Sequence, residues 1–266
     1  NSNVSHEERE ERLNAIHRGE KSILYIAPEM LLTTSLETLL GERQLGLFVV
    51  DEAHTVTSWG RDFRADYWFL GDYLERQRKN GRHFPVLCLT ATAVYGGKED
   101  VVQDTIDTLG LNNPIQYLGR VRRDNIDLDI HPLDKRADRG YDGFKMNHVA
   151  QKIVEAVAAG KKTLIYCPFR TTVDDIYRVV PADIRSRVRR YHAGLRKEEK
   201  NAAQRAFQTG EALVMICTKA FGMGVDVPDI VQVYHYAPTG NLADYVQEIG
   251  RVARDKNLRG TAIEEF

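Results

Sequence analysis

The sequence predicts an α/β protein made of two parallel-sheet units in series. Short apolar runs of strand length, such as LFVV at 47–50, alternate along the chain with amphipathic segments of helix length. That alternation favours parallel sheets joined by crossover helices. A polar, charge-dense stretch at 121–146 interrupts the alternation, after which the pattern starts again. We therefore predict one unit over residues 1–120 and a second over residues 121–266.

The first unit is expected to begin with a helix that Ser5 caps and that closes near Gly19. A strand at 23–26 follows, and Pro28 and Glu29 are expected in the loop after it. The remaining predicted elements are a helix at 36–40, a strand at 47–50, a helix at 67–79, a strand at 86–89, an exit loop at 90–93, and a helix from about 99 that Gly110 ends.

The second unit is expected to begin with a strand at 126–130 and an exposed loop at 133–143. Arginines at 185, 187, 189 and 190 favour a solvated face over a DNA contact. The other predicted elements are helices at 147–159, 173–180 and 198–208, strands at 163–167, 213–217 and 231–235, and a helix from Leu242 that Asn241 and Asp244 cap.

Composition limits the classes of partner. The chain is 42% hydrophobic with a net charge of −1, so any DNA contact would depend on local clusters of Lys and Arg. No apolar run reaches the roughly 18 residues of a membrane helix, which predicts a soluble, intracellular protein with no membrane partner. Cys88, Cys167 and Cys217 lie in apolar runs without C-x-x-C spacing, which predicts buried free thiols and no zinc site.

An acidic pair, Asp51 and Glu52, directly follows the LFVV run. Ligands of open parallel sheets sit beyond the carboxyl ends of the strands, so both carboxylates are expected at a nucleotide site. Asp51 is suited to holding Mg²⁺ through water, and Glu52 to orienting and deprotonating an attacking water. The alternative is an acidic N-cap after a strand. The SWGRDFR segment that follows leaves that alternative little weight.

Seven short segments follow one another along the chain: APEM at 27–30, DEAH at 51–54, SWGRDFR at 58–64, LTATA at 89–93, YHAGL at 191–195, FGMGVD at 221–226 and QEIGRVARD at 247–255. In this order they resemble the motifs of the RecQ family of superfamily 2 DNA helicases. The resemblance covers nearly the whole chain. It implies two tandem RecA-like domains, ATP and Mg²⁺ as cofactors, and single-stranded and partly duplex DNA as the partner.

The resemblance implies that the loop at 58–64 couples DNA binding to ATP hydrolysis. Trp59 and Phe63 offer π faces for unpaired bases, worth roughly 1–3 kcal/mol per stacked base, and Arg61 and Arg64 contact phosphates. Ser58 belongs to the same DNA-binding loop. The alternative is that Trp59 and Phe63 are core aromatics.

Further DNA contacts are implied at Thr90, His192, Thr218, Gly222 and Met223. His54 is expected to link the nucleotide site to the threonines of LTATA, although a structural histidine is the alternative. Capping of the turn after the strand is the alternative role of these threonines, and the two roles are compatible.

In the second unit the resemblance makes Arg254 an arginine finger, which delivers a cation to the γ-phosphate when the domains close. Arg251 is expected beside Arg254, and Gln247 is expected to order the phosphate or its water. The alternative is that both arginines are solvated surface residues. Gly224 and Asp226 are implied at the nucleotide, with Asp226 either reading it or bridging to an arginine.

The segment from QEIGRVARD to Lys256 departs from the family pattern at two positions. Ala253 stands where glycine is usual, and Lys256 replaces another glycine. The added methyl group of Ala253 bears directly on the backbone geometry next to Arg254.

A motor also needs a glycine-rich phosphate loop, GxxxxGK followed by Ser or Thr, and the sequence contains none. The expectation is a fragment that starts within the first RecA-like domain and is inactive alone. The predicted parent is an ATP-dependent helicase or translocase that tracks 3′ to 5′ on single-stranded DNA, near the nucleoid of a prokaryote or in a eukaryotic nucleus. A DNA-binding scaffold without turnover and an RNA helicase stay open as alternatives; SWGRDFR disfavours the second.

Overall fold

The computed structural model describes residues 5–56, 65–93, 95–96, 100–119, 122–132, 141–222 and 225–265. The chain divides into two compact units, Asn1–Arg120 and Val121–Phe266. No helix in these described ranges has the length and apolar content to cross a bilayer.

The first unit combines short helices with a small sheet. Its elements are α1 (His6–His17), α2 (Pro28–Thr33), α3 (Leu36–Leu40), β1 (Phe48–Val50), a 3-10 helix (Ala53–Val56), α4 (Ala65–Lys79), β2 (Val86–Cys88) and α5 (Val101–Leu109).

Local capping signals set the ends of these helices. The Ser5 side chain accepts from the N–H of Glu8 at the start of α1. Asp100 does the same for Gln103 at the start of α5, and Gly110 ends α5 in the left-handed conformation. These helix predictions are confirmed to within a few residues.

Strands β1 and β2 pair in parallel, with Val50 opposite Cys88. One face of the pair packs with α4 and α5 into a core that includes Val50, Leu74 and Leu109. The other face leaves Val49 48% and Leu87 42% exposed. The apolar run at 47–50 is therefore buried on one face only, because the described helices cover only one side of this pair.

Two predictions for the first unit are wrong. Residues 23–26 form no strand, and Ile23 and Tyr25 are exposed; the described part of the chain offers them no ladder hydrogen bonds. Pro28 begins α2 where a loop was expected. Proline lacks an N–H and has a fixed φ, and both properties suit the first turn of a helix.

The second unit is a six-stranded parallel sheet with helices on both faces. Its elements are β3 (Ile126–His131), α6 (Tyr141–Ala158), β4 (Thr163–Tyr166), α7 (Arg170–Val179), a 3-10 helix (Arg185–Arg187), β5 (Val188–Tyr191), α8 (Lys197–Thr209), β6 (Val214–Cys217), β7 (Gln232–His235), α9 (Leu242–Ile249) and β8 (Gly260–Glu265).

The strand order is β3-β8-β7-β4-β6-β5, and every pair is parallel. All residues of β4 and β6 are buried, which is typical of strands covered on both faces. One core contains Ile153 of α6 and Ile176 of α7. The other contains Phe207 of α8 together with Val252 and Ala253. The fold class predicted from the sequence is confirmed.

Some boundaries differ from the predictions. Helix α6 begins at Tyr141, inside the range predicted as a loop, and β8 was not predicted. The basic stretch contains β5, an edge strand in which Arg189 pairs with Glu211 and Arg190 with Asp174. Charged side chains are common on edge strands, so the charge pattern hid this element.

All three cysteines are free thiols, but only Cys167 and Cys217 are buried. Cys88 is half-buried, because its strand belongs to the partly covered sheet of the first unit. Burial raises the pKa of each thiol. Within the described ranges, no three His, Cys, Asp or Glu side chains converge as metal ligands.

Candidate active site

The carboxyl ends of β1 and β2 bring two predicted motifs together. Parallel pairing places the turn that follows Val50 beside the turn that follows Cys88. The N–H of Ala53 donates to the carbonyl of Leu89 at 2.9 Å, and the N–H of Leu89 donates to the carbonyl of Val50 at 2.9 Å. The DEAH and LTATA segments are therefore joined by main-chain hydrogen bonds.

Glu52 has a backbone conformation that L-amino acids rarely adopt, with φ at 50°. Its N–H donates to Oδ1 of Asp51 at 2.9 Å. Its carbonyl accepts from both the N–H and the hydroxyl of Thr55, at 2.9 and 2.8 Å. Left-handed backbone at a non-glycine residue costs about 1–2 kcal/mol, so these contacts hold a strained residue at the end of β1.

His54 connects the acidic pair to the threonines. Its Nδ1 lies 2.9 Å from Oγ1 of Thr90, 3.1 Å from Oγ1 of Thr92 and 3.4 Å from Oε2 of Glu52. The His54 side chain is nearly buried, while that of Glu52 is about half exposed. One ring nitrogen thus lies close to three side-chain oxygens from two turns. A shift of either turn would therefore change the position of the Glu52 carboxylate relative to His54.

Asp51 is exposed and has the donor atoms of a magnesium ligand. Its Oδ1 accepts from Glu52, and no other described group contacts the carboxylate. A solvent-facing carboxylate oxygen is a hard ligand of the kind that a hydrated Mg²⁺ prefers. The exposure and chemistry of Asp51 are therefore suited to holding a hydrated Mg²⁺.

In the second unit, the predicted arginines follow α9. The Asn241 side chain caps this helix by accepting from the N–H of Asp244 at 2.8 Å. Gln247 is half-buried on α9, and the helix ends at Ile249. The turn after Gly250 then carries Arg251 and Arg254.

The two arginines have different surroundings. Arg254 is partly exposed and donates through Nη1 to Oδ1 of Asp226 at 2.8 Å. Of the two roles expected for Asp226, the structure shows contact with an arginine. Arg251 is only 8% exposed, and its Nε has no hydrogen-bond partner among the described residues.

Arg251 packs directly against Gly222. A Cβ atom at Gly222 would lie 2.5 Å from Nη2 of Arg251 and 2.8 Å from Cζ. Tyr166 lies near the same guanidinium: burial raises the pKa of Tyr166 well above its ordinary range, and the charge of Arg251 opposes that rise. The absence of a side chain at Gly222 therefore makes room for Arg251.

Ala253 has a positive φ of 47° and is completely buried. This is the position where the resemblance implies glycine. Alanine has therefore been accommodated in a conformation that glycine adopts without cost.

His192 lies inside the fold, with its ring already engaged. Gly194 donates its N–H to Nδ1 at 3.2 Å, and Nε2 lies 3.2 Å from Oδ1 of Asp174. These partners fit the neutral tautomer with the proton on Nε2. A direct DNA contact by the His192 ring is disfavoured, and the residues of the YHAGL turn that are exposed are Ala193 and Gly194.

The other predicted DNA contacts are only partly described. Thr218 is half-buried at the exit of β6, where its Oγ1 accepts from the N–H of Ala220 at 3.4 Å. Seven predicted site residues lie outside the described residues: Ser58, Trp59, Arg61, Phe63, Arg64, Met223 and Gly224.

Sequence reasoning missed a buried polar cluster behind Arg251. Nε2 of His235 lies 2.8 Å from Oε2 of Glu248, and the His235 ring stacks on Tyr166 with centroids 5.7 Å apart. The sequence feature that indicates this cluster is the position of His235 at the end of an apolar strand. A polar side chain that is buried there needs a hydrogen-bond partner.

Two family models match the chain. The DEAD/DEAH box helicase model matches residues 1–99, and the helicase conserved C-terminal domain model matches residues 145–256. The chain is 35% identical over 96% of its length to a probable ATP-dependent DNA helicase RecS of Bacillus subtilis, and covers 48% of that protein. It is 31% identical over 96% of its length to an ATP-dependent DNA helicase RecQ of Pasteurella multocida, and covers 37% of it.

The chain carries both helicase domains and is similar in sequence to RecQ-family helicases.

Solved helicase structures share the fold of this chain. Mycobacterium smegmatis helicase Lhr, bound to ssDNA and AMP-PNP, matches 99% of this chain and 33% of its own, with a TM-score of 0.73 and 16% identity. Mss116p, bound to ssRNA and AMP-PNP, matches 97% of this chain and 50% of its own, with a TM-score of 0.70 and 18% identity. The chain spans about half the length, or less, of the curated relatives that it matches.

Proposed function

We propose that the protein carrying this chain is an ATP-dependent DNA helicase or translocase. Its substrates would be ATP and single-stranded or partly duplex DNA, along which it would track 3′ to 5′. The observation that best supports the proposal is the contact of His54 with Glu52, Thr90 and Thr92, which links an acid suited to hydrolysis to a second motif of the family.

In the proposed reaction, Glu52 accepts a proton from the water that attacks the γ-phosphate. His54 holds the Glu52 carboxylate in relation to the LTATA turn. Arg254 supplies positive charge to the transferring phosphoryl group and must leave Asp226 or share it to do so. Asp51 would hold Mg²⁺, which would supply positive charge to the phosphates when bound.

The proposal for DNA rests on the relatives, several of which are named as ATP-dependent DNA helicases. We propose the same nucleic acid for this protein, and with it a location at chromosomal DNA, in the cytoplasm of a prokaryote or the nucleus of a eukaryote. The 266-residue sequence has no GxxxxGK loop, and we propose that this chain alone turns over ATP only slowly. The assays therefore need the whole protein.

The first experiment replaces Glu52 with Gln in the whole protein. Glutamine keeps the shape of the side chain but cannot take a proton, so kcat for DNA-stimulated ATP hydrolysis should fall by roughly 100- to 10,000-fold. Nucleotide binding, measured with a fluorescent ATP analogue, should stay within about twofold of wild type because the step lost is chemical.

Glu42→Gln is the matched control, because Glu42 is exposed in the same unit. It should leave kcat unchanged. Undiminished turnover in Glu52→Gln would remove Glu52 from the reaction. A wild-type protein that binds DNA but never hydrolyses ATP would support the scaffold alternative, and stimulation by RNA alone would support an RNA helicase.

A further inference from the structure

Ala253 is a strained residue directly before the proposed arginine finger. Its φ of 47° lies in the left-handed region, and its side chain is completely buried. An alanine in this conformation pays a steric cost that glycine does not. Something in the surrounding structure must therefore hold it.

Both main-chain polar groups of Ala253 are held by hydrogen bonds. Its N–H donates to the carbonyl of Ile230 at 2.7 Å. Its carbonyl accepts two hydrogen bonds, from Nη2 of Arg123 at 2.6 Å and from Nδ2 of Asn125 at 2.9 Å. These two donors come from the beginning of the second unit, about 130 residues earlier in the chain.

Arg123 and Asn125 are themselves fixed. Nε of Arg123 donates to Oδ1 of Asn125 at 3.1 Å, and the carbonyl of Asn125 accepts from the N–H of Gly260 at 3.0 Å. Each side chain also reaches a second carbonyl in the same turn: Arg123 that of Val252 at 3.2 Å, and Asn125 that of Leu258 at 3.0 Å. The pair thus contacts the turn at three carbonyls.

The hydrogen bonds to the Ala253 carbonyl fix the orientation of its peptide plane as well as its position. A carbonyl with two donors, one of them a charged guanidinium, has its peptide plane strongly oriented. That peptide joins Ala253 to Arg254, so its orientation sets where the Arg254 side chain leaves the backbone. The far end of the same side chain is held by Asp226.

We propose that Arg123 and Asn125 are positioning residues for Arg254, acting through the carbonyl of Ala253. The role in catalysis rests on the proposed function of Arg254. The two side chains compensate for alanine at a position that favours glycine, and they keep the turn in the one conformation from which Arg254 can act.

The central test compares Arg123→Ala with Arg122→Ala in the whole protein. Arg122 is the neighbouring arginine, but its side chain is 86% exposed, and among the described residues it pairs with Asp124, at 2.5 Å. Arg123→Ala should lower kcat for DNA-stimulated ATP hydrolysis at least about tenfold, with less than about a twofold change in KM for ATP. Arg122→Ala should change neither constant by more than about twofold.

A double-mutant cycle with Ala253→Gly separates positioning from general stability. Glycine adopts a positive φ without the steric cost, so the turn depends less on the two donors. The loss of kcat caused by Arg123→Ala should shrink to about threefold or less in the Ala253→Gly background. An equal loss in both backgrounds would overturn the proposal that the donors hold Ala253 in place.

Amide hydrogen exchange gives a readout that does not depend on activity. Arg123→Ala should accelerate exchange of the Ala253 N–H, and Arg122→Ala should not. Accelerated exchange in a protein that never hydrolyses ATP would refute the proposed function but leave the contact intact. Unchanged exchange together with unchanged kcat would overturn the positioning proposal itself.

If Arg123→Ala does not fold, Asn125→Asp takes its place. The two side chains have the same shape, but aspartate has no N–H to donate to Ala253 or Leu258. The same loss of kcat and the same faster exchange are expected. A folded Asn125→Asp protein with wild-type kcat and exchange would contradict the proposal.

Discussion

Strained backbone at the candidate site falls on two residues with different tasks. Glu52 and Ala253 both have positive φ without being glycine, at 50° and 47°. Glu52 is the proposed base, whereas Ala253 only precedes the proposed finger. Non-glycine residues persist in this region only where their surroundings over-determine them, and both have hydrogen bonds at N–H and carbonyl. Each strained residue thus lies at, or directly before, a side chain with a proposed catalytic role.

Gly222 is a residue of the candidate site where a single added methyl group should be damaging. In Gly222→Ala the new Cβ would lie 2.5 Å from Nη2 of Arg251, whose buried guanidinium has little room to move. We expect the free energy of unfolding to fall by about 1–3 kcal/mol, as for other over-packed sites. Chemical denaturation monitored by circular dichroism measures this change, and kcat should fall with it because Arg251 is displaced.

The matched control for that substitution is Gly240→Ala. Nothing lies within 4 Å of a Cβ at Gly240. Its unfolding free energy should stay within about 0.5 kcal/mol of wild type. Wild-type stability and kcat in Gly222→Ala would show that Arg251 can rearrange and that its packing against Gly222 is not required.

Among the elements, the helix caps were predicted correctly, whereas three strand assignments failed. The caps at Ser5 and Asn241 act within three residues, so the sequence alone predicts those helix starts. The failed strand at 23–26 and the unpredicted β5 and β8 depend on which strand is available as a neighbour. That choice is made by the whole sheet and leaves no mark in the local sequence.

The same distinction applies to the site. The acids, His54 and the arginines stand in compact motifs that resemble a family, and the structure adds their contacts. Arg123 and Asn125 could not be predicted because their partners lie about 130 residues away. In the sequence they are simply part of a charged junction.

Strand β8 carries a carboxylate that should make stability depend on pH. Glu265 is buried and accepts from the hydroxyl of Tyr234 at 2.5 Å, while His131 and His148 approach it at 3.0 and 2.8 Å. Burial opposes ionisation, but the Tyr234 hydrogen bond and the two histidines outweigh burial and lower the pKa of Glu265 below its ordinary value of 4.5.

A lowered folded-state pKa means that this contribution is complete above the ordinary value of 4.5 and is lost as the pH falls through the lowered pKa. We expect the unfolding free energy of wild type to fall over that range, and that of Glu265→Gln to fall less. Denaturant titrations at several pH values measure both. Glu264→Gln, at the next position of β8, is the control and should follow wild type. Parallel pH profiles for wild type and Glu265→Gln would contradict this role of Glu265.

At the scale of the whole molecule, neither unit holds a complete set of groups for the proposed reaction. The first unit contributes Asp51, Glu52 and His54, and the second contributes Arg251 and Arg254. The net charge of −1 gives no general attraction to a polyanion. Activity should therefore depend on a few named side chains from both units and not on the overall field of the protein.

If Glu52 and Arg254 serve the same chemical step, their substitutions should not be additive. Glu52→Gln and Arg254→Ala should each lower kcat by about 1,000-fold, because either loss disables the same transition state. The kcat of the double variant should then be within about fivefold of that of the less active single variant. Independent contributions would instead multiply to a loss of about a million-fold in kcat. Single-turnover hydrolysis with DNA present measures all three rates. Arg259→Ala, which removes an exposed ion pair with Asp127, is the control and should add nothing in either background. Losses of kcat that multiply would mean that the two residues act in separate steps, and would contradict the proposal that they share one reaction.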